Sequence, residues 1–395
     1  MKYSEIEQIY NNLFMSNEMY DFRNALHMHP EIGGEEFRTI EKICEKMDEY
    51  GLSYEHVADT GLVVRIMGNR PGKTIGIRAD IDALPIDDES DSEFRSVIPG
   101  RNHACGHDIH CSCLVGVAKM LASLKGDFAG NIVLLFQPAE ESFGGADRMI
   151  KAGALENPHV DHVIGFHNAQ GYPAGQAEIR YGSMYAGSDG FRIVVHGKSA
   201  HAAYPGSSID PIVCASQIVL ACQTIVSRNV APTNSAVVTF GVIQGGVVQN
   251  QIPDTVLLRG TCRTLNPETR ELAIRRVREV AQGVCDAMGA TLEFERIPSY
   301  PPLVNDNKVV DVVKAVLTEA IGAENVHEAK ESEMGCEDFA YFAAARPSCY
   351  YHLGARPTDR PVYGGHNTKY NPDAEHAIPY GIKFHTAIAL TLAGN

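Results

Sequence analysis

The chain has 395 residues, 44% of them hydrophobic, enough to bury a large core and long enough for two domains rather than one. Its 49 acidic against 34 basic residues give a formal charge of −15, with no basic run able to track a phosphate backbone, so nucleic acid is not an expected partner. The amino terminus MKYSEIEQIYNNLF is polar and amphipathic, no apolar run reaches the roughly 20 residues that cross a bilayer, and the ten scattered cysteines read as free thiols, so a cytoplasmic protein with no membrane partner and no disulfide framework is expected.

Residues 17–29 read as a helix closed by Pro30, and EEFRTIEKICEKMDEYG reads as a second, with Gly51 placed to cap it. Strands are expected at GLVVRIMG and TIGIRADID, followed by an apolar helix from Asp108 to about Lys125 whose start Asp108 can cap. Next come a buried strand leading into LLFQPAEESFGG (134–145), a short helix near 145–152 and the strand HVIGFH. Strands alternating with helices imply an α/β layer around a mostly parallel sheet, in which ligands bind beyond the carboxyl ends of the strands.

From GFRIVVHG onward the rhythm changes to strand, long apolar helix, two strands, helix and strand. That βαββαβ order is the ferredoxin-like pattern and makes an α+β unit of its own. The expected organisation is a catalytic domain in two segments, 1–185 and 297–395, with a smaller domain inserted at 186–296.

The densest chemistry lies in NHACGHDIHCSC, residues 102–113. Cys105 and His107 flank a glycine turn before a helix start, which stabilises a thiolate, and thiolate with neutral imidazole is a divalent-metal donor set. Cys111 and Cys113 fall on the helix, where packing explains a small apolar thiol; a zinc knuckle of Cys105, Cys111 and Cys113 lacks a following partner pair. Three further pieces follow strands: Glu140 with Glu141, His167 in GFHN, and His366 in YGGHN. Cys105, His107, one glutamate, His167 and His366 would supply five ligands, about right for two ions sharing a bridging group. The other glutamate is then left to take a proton from an activated water.

The motifs LHMHPEIGGEEFRT, IGIRADIDALPI, HACGHDIH, FQPAEES, GFHN, SAHAAYPGSSIDPI, NQIPDTVLLRGTCR and CEDFAYF follow the order found in metal-dependent N-acyl-amino-acid amidohydrolases. The chain thus resembles the group containing hippurate hydrolase, the indole-acetyl-amino-acid hydrolases and N-acetyl-diaminopimelate deacetylase, related to aminoacylase and carboxypeptidase G. The likeness runs from about residue 20 to 390. It implies a zinc-exopeptidase-like catalytic domain and an inserted lid and dimerisation domain, hence a homodimer or a dimer of dimers. It places Cys105, His107, Glu141, His167 and His366 as metal ligands, with Cys105 bridging or next to both ions, and Glu140 as the catalytic acid/base. Asp80 matches an acid that in the wider superfamily orients a ligating histidine; Arg78 stands where that superfamily often has the histidine, which leaves Asp80 a supporting role behind the ligands. His201 corresponds to a lid histidine that stabilises the oxyanion in a partner subunit's site, Asn250 to a substrate-contacting lid residue, and Arg263 either to a holder of a substrate carboxylate or, equally, to a structural arginine on a strand. YGGHN departs from the usual setting of the last ligand, which makes His376 the competitor of His366, while His352 inside SCYYHLGA reads as core.

The implied reaction is hydrolysis of the amide of an N-acyl amino acid with two divalent ions per chain. Thiolate and imidazole favour zinc, and manganese, cobalt or nickel are admitted by the carboxylates. A dipeptidase or carboxypeptidase of the same superfamily, or a catalytically idle metal-binding scaffold, are the alternative readings.

Overall fold

The computed structural model describes residues 1–14, 17–142 and 144–394. The chain forms two units, one of Met1–Gly182, Asn305–Lys330 and Tyr341–Asn395, the other of Ser183–Val304 and Glu331–Ala340.

The first unit opens with helices α1 (Tyr3–Leu13), α2 (Glu18–His27) and α3 (Phe37–Glu49). Strands β1 (Tyr54–Val57), β2 (Gly61–Met67) and β3 (Arg70–Asp80) precede α4 (His107–Ser123), then β4 (Ala129–Gln137), α5 (Gly145–Lys151), β5 (His162–Ala169) and β6 (Ala177–Ile179). The second unit carries β7 (Gly182–Tyr185), β8 (Gly187–His196), β9 (Ala200–His201), α6 (Pro211–Thr224), β10 (Ala236–Gly245), β11 (Gln251–Ile252), β12 (Thr255–Thr264), α7 (Pro267–Met288), β13 (Thr291–Pro298) and β14 (Leu303–Asn305). The chain then returns through α8 (Asn307–Ile321), β15 (Val326–Glu328), α9 (Ala340–Ala345), β16 (Ser348–Gly354) and α10 (Ala374–Gly394).

Eight strands of the first unit form one sheet in the order β1-β2-β4-β3-β5-β16-β6-β15. Its centre is parallel, β4 with β3, β3 with β5 and β5 with β16, while β1, β2 and β6 pair antiparallel with a neighbour. The expected mostly parallel sheet is therefore mixed at its margins. Central strands read as unbroken apolar runs because both faces are covered: Ile75, Ile77, Leu134 and Ile164 are fully buried in one core with Leu114, Val117, Ile382 and Ile388 of α4 and α10. Burying each such side chain stabilises the fold by roughly 1.5–3 kcal/mol. Because β4, β3, β5 and β16 run the same way, their carboxyl ends share one edge; Asp80 is level with Gln137, and His352 with His167.

The second unit is a four-stranded antiparallel sheet, order β10-β12-β8-β13, with α6 and α7 contributing Cys214, Ile218, Cys222, Ile274, Val277 and Cys285 to its core. It reaches beyond 186–296, to Ser183–Val304, and takes in Glu331–Ala340. Backbone bonds explain the addition: Ala186 N–H donates to Glu333 O and Gly335 O, both at 3.0 Å. The helix α6 also departs from expectation. With its extension, Pro211–Asn229, it is 19 residues, long and apolar enough by length and composition to cross a bilayer, although Cys214, Ala215, Ile218, Cys222 and Ile225 are buried in the unit's core.

Candidate metal centre and active site

Just beyond β4 the chain turns through Ala139, a non-glycine residue in the left-handed region at φ 54°. The buried carboxylate of Glu36 fastens that turn, accepting the Ala139 N–H at 2.8 Å on one oxygen and Gly34 N–H and Thr60 Oγ1 on the other, at 2.8 and 2.5 Å. Burial pushes the Glu36 carboxyl up. The turn brings Glu140, buried, and Glu141 to the sheet edge, where the Glu141 N–H donates to Asp82 Oδ2 at 3.0 Å. Asp82 Oδ1 lies 3.1 Å from His107 Nδ1, so one buried carboxylate positions both the backbone of Glu141 and the ring of His107.

His107 is the first residue of α4, and the residue before it is Gly106 at φ 87°. A Cβ at 106 would sit 2.3 Å from Asn168 Nδ2, so only glycine closes this turn against β5. Asp108 does not cap the helix as expected; it lies inside the first turn, fully buried, 2.6 Å from Arg23 Nε and 2.7 Å from His27 Nδ1. His366 has φ 61° and its N–H donates to Ala104 O at 2.8 Å, which ties its loop to the same turn.

These turns converge five side chains. Cys105 Sγ lies 3.2 Å from His167 Nε2, and Glu141 Oε1 lies 3.1 Å from His366 Nε2 and 4.0 Å from His107 Nε2. Donor atoms of Cys105, His107 and His167 all fall within 4.8 Å of one another, as do those of Cys105, Glu141 and His366, and those of His107, Glu140 and Glu141. The Cys105 thiol therefore belongs to two donor sets at once. The competitor, His376, instead pairs with Asp373 at 2.8 Å and is exposed in the first turn of α10. Cys111 and Cys113 are buried in the core, and His352 Nδ1 contacts Glu178 Oε2 at 2.9 Å.

The electrostatics match a site built for cations. Burial opposes charge on His107, yet Asp80 and Cys105 outweigh it and raise its pKa well above the ordinary value. The contacts of His366 with Cys105 and Glu141 push it up to about 10. Burial would raise Glu141, but His366 and His107 hold it below the usual carboxylate range. Burial pushes the Cys105 thiol up and, with His110 beside it, keeps His167 well below its ordinary value. His167 Nδ1 donates to Asn168 O at 2.7 Å, leaving the Nε2 lone pair facing Cys105. Glu141 Oε1 is buried and, though close to two imidazoles, is in line for no hydrogen bond. A thiol, three imidazoles and a carboxylate with an unsatisfied oxygen, arranged in two sets that share the sulfur, fit a pair of divalent ions.

Asp80 lies behind the donors, and the carboxylate nearest the His107 ring is that of Asp82. The Asp80 Oδ2 pairs with the fully buried Arg78 at 2.6 Å and comes only within 3.7 Å of His107 Nε2, while its Oδ1 meets His110 Nδ1 at 2.5 Å. Burial raises Asp80, but Arg78, His107 and His110 together hold it well below the carboxylate range. His110 Nε2 accepts the Asn168 N–H at 3.0 Å, and Tyr370 OH donates to Asn168 Oδ1, so a second row of groups supports the donors. Asp82, His110, Asn168 and Glu36 are the site residues that sequence reasoning misses. The period of two after Asp80 and the i, i+3 spacing of His107 and His110 are the available signals.

In the second unit, β9 and β11 place His201 level with Gln251, and the Ala202 N–H donates to Asn250 O at 3.0 Å, so His201 and Asn250 are neighbours on an exposed turn. His201 Nδ1 accepts the Ala203 N–H at 3.1 Å, which leaves Nε2 as the protonated nitrogen of the neutral ring. Arg263 Nη1 donates to Ser188 Oγ at 2.6 Å and to Thr261 Oγ1 at 2.5 Å, a local structural role for that nitrogen.

The sequence profile of peptidase family M20/M25/M40 matches residues 76–391. The chain belongs to that family. This M20 chain is 35% identical over 395 residues to IAA-amino acid hydrolase ILR1-like 4 of Arabidopsis thaliana, covering 98% of this chain and 89% of the relative. It is 37% identical over 370 residues to N-acetyldiaminopimelate deacetylase of Listeria monocytogenes, covering 93% and 97%. Thermostable carboxypeptidase 2 of Saccharolobus solfataricus is 36% identical over 376 residues, 93% of each chain. Among solved structures, a dinuclear metal-binding M20 peptidase of Bacillus subtilis is 31% identical with a TM-score of 0.81, covering 95% of this chain and 98% of that one. With this family and these hydrolases as relatives, the M20 chain is a metal-dependent amidohydrolase.

Proposed function

We propose that the protein hydrolyses the amide bond of N-acyl amino acids, releasing a free amino acid and a carboxylic acid, with Cys105, His107, Glu141, His167 and His366 as ligands of two divalent ions. The observation that carries this reading is the Cys105 thiol shared by two donor sets. Relatives named as an amino acid hydrolase and an N-acetyl deacetylase support the substrate class. Bound ions would lower the pKa of water toward about 7 and polarise the scissile carbonyl. Glu140, buried beside Glu141 and His107, takes the proton of the attacking water and returns it to the leaving amine. His201 offers its Nε2–H to the developing oxyanion, acting on a second copy of the chain, and Asn250 beside it contacts substrate. Zinc suits the thiolate and imidazoles, and manganese, cobalt or nickel the carboxylate.

The same reading makes the protein a homodimer through its second unit. The edge strand β10 exposes Val237, Val242 and Ile243, and α6 exposes Ile212, Val213 and Leu220, an apolar face that a second copy would cover. A cytoplasmic location is supported by all ten cysteines being free thiols. The similarity to a carboxypeptidase keeps peptide cleavage as the second reading.

Two variants test the roles of the adjacent acids. Glu140→Gln is expected to keep its metal and lose at least about a thousandfold in kcat. Glu141→Gln is expected to lose bound metal, measured by elemental analysis; a full metal complement there with metal loss in Glu140→Gln would reverse the two assignments.

A further inference from the structure

A cavity of about 680 Å³ lies within the first unit, between α2, the acidic loop 89–94, the loop 358–373 and the first turn of α10, and none of the five donor residues lines it. That volume suits a small molecule. Four aromatic rings face it, Tyr20, Phe94, Tyr363 and Tyr370, with Tyr20 and Phe94 in edge contact at 6.1 Å. Its unpaired charge is mainly negative. Arg23 is held by Asp108 at 2.6 Å, Arg360 by Asp359 at 3.1 Å and His376 by Asp373 at 2.8 Å, whereas the lining carboxylates Asp91 and Glu93 make no ion pair among the described residues. Lys369 also lines the cavity and carries the opposite sign. Ser90, also in the wall and only 6% exposed, is turned to Asp88, its N–H donating to Asp88 Oδ1 at 2.9 Å and its hydroxyl beside the same carboxylate.

We propose that this cavity binds a small organic ammonium ion, its charge set toward Asp91 and Glu93 and its carbon frame against the rings. Aromatic faces and unpaired carboxylates both attract such a cation, and a carboxylate or phosphate would meet repulsion here. The walls are stitched together by Glu89, whose N–H donates to Thr368 O at 2.8 Å and whose carboxylate accepts from Thr368 Oγ1 at 2.7 Å. Thr368 is two residues from His366, so an occupant would brace the loop that brings His366 to Glu141.

Calorimetric titration of the metal-loaded full chain tests this without reference to hydrolysis, using benzylammonium, the neutral benzyl alcohol and the anionic benzoate as probes. Saturable binding of one benzylammonium per chain is expected, at least about tenfold tighter than benzyl alcohol, with benzoate weakest. In the Asp91→Asn/Glu93→Gln double variant the preference for the ammonium over the alcohol should fall about tenfold, and Phe94→Ala should weaken both. No saturable binding, equal affinity for alcohol and ammonium, or unchanged ammonium binding in the double variant would overturn the proposal. Because the readout is binding, an inactive hydrolase would leave this test intact.

Discussion

Individual side chains that never touch the proposed ions hold the site together. Asp82 serves two of the five donors, orienting His107 through one oxygen and holding the Glu141 backbone through the other. Outer partners of this kind typically govern metal affinity by about 10–100-fold. Asp82→Ala is therefore expected to weaken metal binding by about that factor while far-UV circular dichroism stays unchanged, as a chelator competition would show; wild-type affinity in the variant would remove Asp82 from this role. The donor residue types are legible in the sequence because chemistry-bearing residues after strands are few. Asp82 is not, since strand β3 ends at Asp80 and the loop path beyond it decides which carboxylate meets which ring. Glu36 is hidden for the same reason: it fastens a turn about a hundred positions away, a contact no local pattern announces.

Among the secondary-structure elements, α4 brings His107 to the edge only if its buried start is neutralised. Asp108, Arg23 and His27 form that cluster beneath it, with His27 Nε2 3.4 Å from Asp88. Burial would raise the Asp108 carboxyl, but the charges of Arg23 and His27 outweigh it and hold the group below its ordinary value. A depressed folded pKa contributes stability above the unfolded value, about 3.9, which is lost as pH falls through the folded one. The native protein should thus resist acid down to below about pH 4 as far as this group is concerned. Arg23→Met leaves Asp108 buried without its main partner and is expected to cost about 3–5 kcal/mol, with acid unfolding moved to higher pH. Urea unfolding at pH 7 and a pH titration of ellipticity measure both; a loss below about 1 kcal/mol would mean that the pair is dispensable. The helices and central strands are readable from periodicity, whereas the antiparallel margin of β1 and β2 is not, because strand direction is set by pairing and leaves no trace in the pattern of one strand.

For the molecule as a whole, the second unit carries the exposed His201 turn, an edge strand and an apolar helix face. If a second copy covers that face, sedimentation should give twice the 43.0 kDa chain mass, and Leu220→Glu with Ile243→Glu should give the single chain mass. A monomeric wild type with full activity would contradict both the dimer and a role for His201 in trans. The βαββαβ order of this unit is visible in the sequence, but its claim on Glu331–Ala340 is not, because that segment joins through backbone bonds to Ala186, which any side chain permits.

Amino-acid release tests the hydrolytic reading most directly. The purified chain, stripped and then reloaded separately with zinc, manganese and cobalt, would be offered N-acetyl and N-benzoyl amino acids beside free dipeptides. The free amino acid should be released from the acylated substrates only with metal, and not at all by Glu140→Gln. Turnover of dipeptides alone would move the protein to the peptidases of its family, and silence with every metal would contradict the hydrolytic reading altogether.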